Sequence, residues 1–149
     1  MNTWIFQSKP QEFRLKDFLN SSPRRALWRA SRHAEKMKIG DEVYIWQAIG
    51  KGQRSMSGVF GRGVIEELPF ERNDDSASRQ HWNKAKHATD IIMRAMIAIE
   101  KSATNPIIPR EKFERDLLLK FSSIMTYKRG SNFKLTSVQA SRVREIWPE

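Results

Sequence analysis

The chain has 149 residues, enough for one domain to bury a hydrophobic core without disulfide or metal staples. It carries 27 Lys and Arg against 17 Asp and Glu, a formal net charge of +10, and such an excess points to a polyanionic partner, nucleic acid above all. Cysteine is absent, which excludes disulfides, thiolate metal sites and cysteine nucleophiles and agrees with a reducing, cytoplasmic setting.

In chain order, the apolar, β-prone stretch "TWIFQS" predicts a first strand over Thr3 to Ser8, halted by Pro10. The amino-terminal "MNTWIFQSKPQEF" has no leader pattern, and no stretch nears the roughly 18 apolar residues of a membrane span, so no membrane association is expected. Leu15, Phe18 and Leu19 recur at helical spacing and predict a short amphipathic helix, ended by Asn20 to Pro23. From Arg24 to Lys38, the spacing of Leu27, Trp28, Ala30, Ala34 and Met37 predicts one or two further helical turns, with Ile39-Gly40-Asp41 as the stop.

"EVYIWQAI" and "SGVFGRGVIEEL" are β-branched and aromatic, and together predict a hairpin whose long tip is the basic "GKGQRSM". Gly58, Gly61 and Gly63 in the second strand signal a bulge, a bend or a close backbone approach. Residues 71–88 are polar and aperiodic, the pattern of an exposed insertion, with Trp82 as the exception. "TDIIMRAMIAIEK" predicts a long core strand. Pro109 at a helix start, with Glu111, Glu114 and Asp116 in the early turns, predicts a Pro-bounded helix. "LTSVQASRVREIW" predicts a terminal helix with Thr136 or Ser137 as N-cap, docked on the sheet. No repeat or linker divides the chain, so one α+β domain with a strongly bent sheet is expected over residues 1–149.

Catalytic and metal motifs are weak. His33, His81 and His87 are the only histidines and lack tight ligand spacing. "IGKGQRS" departs from a phosphate loop, "GVFGRG" sits inside a strand and misses the dinucleotide fingerprint, and Glu66-Glu67 and Asp74-Asp75 are adjacent acids that do not converge. No cofactor and no metal are expected. What stands out is five tryptophans in a basic chain. Trp28 in particular lies among Arg25, Arg29 and Arg32, where an aromatic face can stack on an unpaired base while arginines hold phosphate.

The order "WIFQSKP", "LWRASRHAEKMKIGDEVYIWQ", "SGVFGRGVIEE" and "KRGSNFKLTSVQASRV" resembles an EVE domain, of the PUA-like superfamily that also holds the YTH readers of methylated RNA. The resemblance covers almost the whole chain, with residues 71–88 poorly matched. It implies a strongly curved mixed β-barrel flanked by short helices, with a pocket into which a modified base of DNA or RNA is flipped. Carried over to this sequence, it places Ser8, Trp28, Arg32, Trp46 and Gln47 around that base, with Trp28 as the stacking ring. Lys9, Arg25, Arg29, Lys51, Arg54, Lys128 and Arg129 would then follow the phosphate backbone. No effector is fused to the chain, so such a reader would act through a separately encoded partner. An enzyme of the ASCH-like branch, hydrolysing nucleosides or processing RNA in the same pocket, is the alternative, with Asp41 and His33 its weak candidates. Asp41 also reads as a turn residue after Gly40.

Overall fold

The structure, a computed structural model, describes residues 1–127 and 129–148. Its elements run β1 (Thr3–Ser8), α1 (Leu15–Asn20), β2 (Arg25–Arg29), β3 (Glu42–Gln47), β4 (Gly58–Arg72), α2 (Ala85–Thr89), β5 (Ile92–Ser102), β6 (Ile108–Pro109), α3 (Arg110–Arg115), α4 (Ser123–Thr126), β7 (Asn132–Leu135) and α5 (Ser137–Ile146). The strands make one mixed sheet in the order β2-β5-β4-β3-β1-β7, with β6 paired to β4. Only β1 and β3 run parallel, because the chain must cross over between them; the remaining pairs are antiparallel.

The sheet is strongly curved but its ladder does not close. Register shifts interrupt β3–β4 between Ile45 and Trp46, and β4–β5 at three places, and each bulge increases local twist. The glycines of β4 allow the tightest approach: a Cβ at Gly63 would overlap the carbonyl oxygen of Ala98, and one at Gly58 that of Ile108. The curl brings the two edge strands together, and the Asn132 side-chain amide donates to the Arg29 carbonyl at 2.8 Å. A side chain thus bridges the seam that a ladder would close in a full barrel.

Alternation along the strands divides the apolar residues between two cores. The inner face collects Trp4, Phe6, Trp28, Val43, Ile45, Phe60, Ile65, Ala95 and Ile97 under α1. The outer face, covered by α3 and α5, collects Ile5, Tyr44, Trp46, Val59, Phe113, Phe133, Val143 and Trp147. Helix α5 docks on the sheet as its sequence pattern predicts. It begins at a complete capping box, in which Gln139 N donates to the Thr136 hydroxyl at 3.1 Å and Thr136 N donates to the Gln139 side chain at 3.0 Å. Thr136→Ala is expected to cost about 1 kcal/mol, a fall of about 2–4 °C in melting temperature for a chain of this size, measurable by thermal circular dichroism.

Two expectations are corrected. The segment after Pro23 is not helical: residues 25–29 form the edge strand β2, antiparallel to β5, and only Ala34–Lys36 make a 3-10 turn. Residues 71–88 are not simply an exposed insertion. Strand β4 continues to Arg72, and beyond it Asp74, Ser78 and Ala88 are buried. Arg94, fully buried on β5, fastens this segment by donating to the carbonyls of Arg72 at 3.1 Å, His87 at 2.6 Å and Asp90 at 3.3 Å. No helix among the described residues is long and apolar enough to cross a membrane.

Candidate functional site

A cleft opens at the unclosed seam, because β7 pairs β1 only from Thr3 to Phe6 and leaves the last residues of β1 facing the free edge of β2. Gln7, Ser8 and Lys9 form one wall, Ala26 to Arg29 the other, and Glu12, Phe13, Ser78, Trp82 and Ser131 complete it. The cleft holds about 490 Å³ of empty space up to its open mouth, a slot between the end of β1 and the edge of β2.

Trp28 reaches the slot because β2 is a strand, whose period of two turns Ala26 and Trp28 to the inner face together. The indole is 7% exposed, and its Nε1 donates to the Gln7 carbonyl at 3.3 Å, tying β2 to β1 across the seam. Phe13 stands 6.3 Å from it at a tilt of 59°, and Trp82 packs edge-on against Phe13 at 4.7 Å.

Three kinds of polar group meet this aromatic lining. The Ser8 hydroxyl is buried and has no hydrogen-bond partner among the described residues. The main chain of β2 supplies a second set. Ile99 N donates to Arg24 O at 2.8 Å and Ala30 N to Met93 O at 2.9 Å, so by antiparallel alternation Ala26 and Trp28 turn their main-chain groups to β5 while Leu27 turns its N–H and C=O to the open side. Thirdly, Ser78 lines the slot, its hydroxyl donating to Asp74 Oδ2 at 2.6 Å and lying 2.8 Å from Ser76 Oγ.

Asp74 organises that last wall. Fully buried, its carboxylate accepts from Ser76 N at 3.0 Å, Ser76 Oγ at 2.6 Å, Ser78 Oγ at 2.6 Å and Trp82 Nε1 at 2.8 Å. Burial lowers the pKa of neighbouring Arg94, and the Asp74 charge opposes that shift. Sequence reasoning missed Asp74, Ser78, Phe13 and Leu27. The "DDSAS" run carried a usable signal, since an acid followed closely by small hydroxyl residues can fold back on itself in a side-chain-capped turn.

Of the five residues expected around the base, Ser8 and Trp28 line the slot. Trp46 does not. Alternation on β3 turns it to the outer face, where it is fully buried 4.9 Å from Phe113. Gln47 returns to the inner side, but its amide is engaged by the Met56 carbonyl at 3.1 Å. Arg32 lies outside the slot, exposed, with its guanidinium 5.8 Å from the Tyr127 ring centroid.

Among the expected phosphate contacts, Lys9 and Arg29 stand at the slot itself. Lys51 and Arg129 are exposed, and none of these four has a carboxylate partner among the described residues. Arg25 and Arg54 are committed elsewhere, Arg25 to Glu66 at 2.8 Å and Arg54 to Glu114. Lys128 lies outside the described residues.

Asp41 and His33, the weak catalytic candidates, are not part of the slot lining. The Asp41 carboxylate accepts from Asn2 N at 3.1 Å, Lys38 N at 3.0 Å and Trp4 Nε1 at 2.9 Å, holding the turn before β3. Burial, then the charges of Arg32 and Lys36, lower the pKa of His33.

Comparison with known proteins follows the same lines. The profile of the EVE domain family matches residues 2–146. No curated protein matches the chain. Among solved structures, it is similar to a hypothetical protein of Leishmania major, with a TM-score of 0.68 and 16% identity over 98% of this chain and 94% of the other. It is similar to human THYN1, solved in complex with DNA containing 5-methylcytosine, with a TM-score of 0.66 and 17% identity over 100% of this chain and 99% of that one. It also resembles, more distantly, the YTH domain of Zygosaccharomyces rouxii MRB1, solved with N6-methyladenosine RNA, with a TM-score of 0.52 and 10% identity over 98% and 86% of the two chains.

Proposed function

The chain belongs to the EVE domain family, and on that premise we propose that it is a nucleic-acid reader whose slot receives one modified base flipped out of a DNA or RNA strand. The observation that carries this reading is the joining, in one slot, of an aromatic wall at Trp28 with a buried Ser8 hydroxyl that has no partner among the described residues. The neighbouring THYN1 and YTH structures, which contain a methylated base in DNA and in RNA, support it.

In this reading the base enters with its plane against Trp28. The Leu27 main chain and the Ser8 hydroxyl read its edge, as one donor and acceptor pair plus a group that can act as either. A buried polar group left unpaired costs about 1–3 kcal/mol, so an orphaned Ser8 hydroxyl favours a ligand that supplies its missing hydrogen bond. The modification is read by fit: burying one extra methyl group contributes about 0.8 kcal/mol, roughly a fourfold preference. Lys9 and Arg29 take the adjoining phosphates. The net charge of +10 adds attraction that falls with salt.

Calorimetric titration tests this with short DNA and RNA strands carrying 5-methylcytosine, 5-hydroxymethylcytosine or N6-methyladenosine against unmodified strands. At least one modified strand is expected to bind about fourfold or more tightly than its unmodified counterpart. Equal affinity throughout would overturn the reading.

A further inference from the structure

We propose that the Arg32–Tyr127 pair at the rim is a second stacking platform, which takes the base next to the flipped one, so that the protein engages two successive nucleotides. This rests on the slot receiving a base. Tyr127 is 59% exposed, leaving much of its ring open to a partner, and the guanidinium of Arg32 lies 5.8 Å from its centroid. A planar cation beside an exposed ring offers a nucleobase both a π face and positive charge, a pairing that favours single-stranded nucleic acid.

Position supports this ligand over others. The Tyr127 main chain is held by its N–H bond to Ser123 O at 2.9 Å. A Cβ placed on Gly130 would lie 3.4 Å from Arg32 Nη1, so the arginine runs along the 129–131 loop. The Gly130 carbonyl accepts from Gln7 Nε2 at 2.8 Å, and Gln7 and Ser131 are both walls of the slot. The platform is therefore joined to the slot by one residue of backbone and one side-chain bond. Arg29 lines the slot and exposed Arg129 precedes Gly130, and neither has a carboxylate partner among the described residues, so both are available to the linking phosphate. Arg32, which does not reach the slot, thus acts on the neighbouring nucleotide.

The test uses single-stranded pentanucleotides with a central 5-methylcytosine in DNA or N6-methyladenosine in RNA, the flanking positions carrying either bases or abasic sugars. Wild-type protein is expected to bind the base-flanked strand on the order of 10-fold more tightly than the abasic-flanked one, as loss of one stacked base predicts. Tyr127→Ala is expected to bring the base-flanked strand down to the abasic-flanked level and to leave the abasic-flanked strand unchanged; Tyr127→Phe is expected to keep the wild-type difference. If Tyr127→Ala binds the base-flanked strand as the wild type does, the platform is refuted while the slot stands. If the wild type binds neither strand, the slot reading fails first.

Discussion

Trp28→Ala is expected to abolish discrimination of a modified base, weakening binding of the best modified strand by roughly 1–3 kcal/mol, about 5- to 150-fold. The indole is a wall of the slot, part of the inner core and a tie between β1 and β2 through Gln7, so truncation also removes packing. Replacing a core tryptophan by alanine costs about 3–5 kcal/mol, and denaturant titration must accompany the binding measurement. Trp28→Phe separates the two effects. It keeps an aromatic plane and most of the buried area but loses the Nε1 bond to Gln7, which contributes about 1 kcal/mol. The phenylalanine variant is expected to stay folded and to retain a preference for the modified strand, with affinity a few-fold lower. A folded alanine variant that still prefers the modified base would show that some other wall carries recognition.

The difference between Trp28 and Trp46 shows which parts of this molecule were legible in its sequence. Strands β1 and β3 announce themselves by continuous β-branched and aromatic residues, since each is covered on both faces, and β5 by its long run of Ile, Met and Ala. The glycines of β4 signal close approach and do meet the backbone of neighbouring strands. Edge strand β2 is only five residues long with arginine at both ends, and its alternation is too short to outweigh the apparent helical spacing that continues to Met37. Pairing with β5, a tertiary interaction, decides its conformation. For Trp46, the bulge after Ile45 and the two-sided burial of β3 leave the facing direction undetermined by pattern alone. The 73–91 segment is hardest to read because its order comes from a buried carboxylate and a buried guanidinium rather than from apolar periodicity.

That same dependence makes Asp74, whose buried carboxylate accepts four hydrogen bonds, a sensitive position. Asp74→Ala removes the acceptor for Ser76, Ser78 and Trp82 together and leaves Asp90 as the remaining carboxylate acting on Arg94. Each buried donor left without an acceptor costs about 1–3 kcal/mol, and here the loss also frees the Ser78 and Trp82 wall of the slot. Asp74→Asn is the more informative change, because the amide keeps one acceptor but turns N–H groups towards donors that can no longer be satisfied. Its effect is expected to depend on Trp82. In a double-mutant cycle with Trp82→Phe, which removes the Nε1 donor while keeping a ring against Phe13, Asp74→Asn should cost at least about 1 kcal/mol less than it does alone. The same coupling should appear in affinity for the modified strand, since the carboxylate acts on the slot by holding Trp82 and Ser78 in place. Strict additivity in both measurements would mean that the carboxylate stabilises the 73–91 segment without shaping the slot, and would return recognition to the Trp28 side alone.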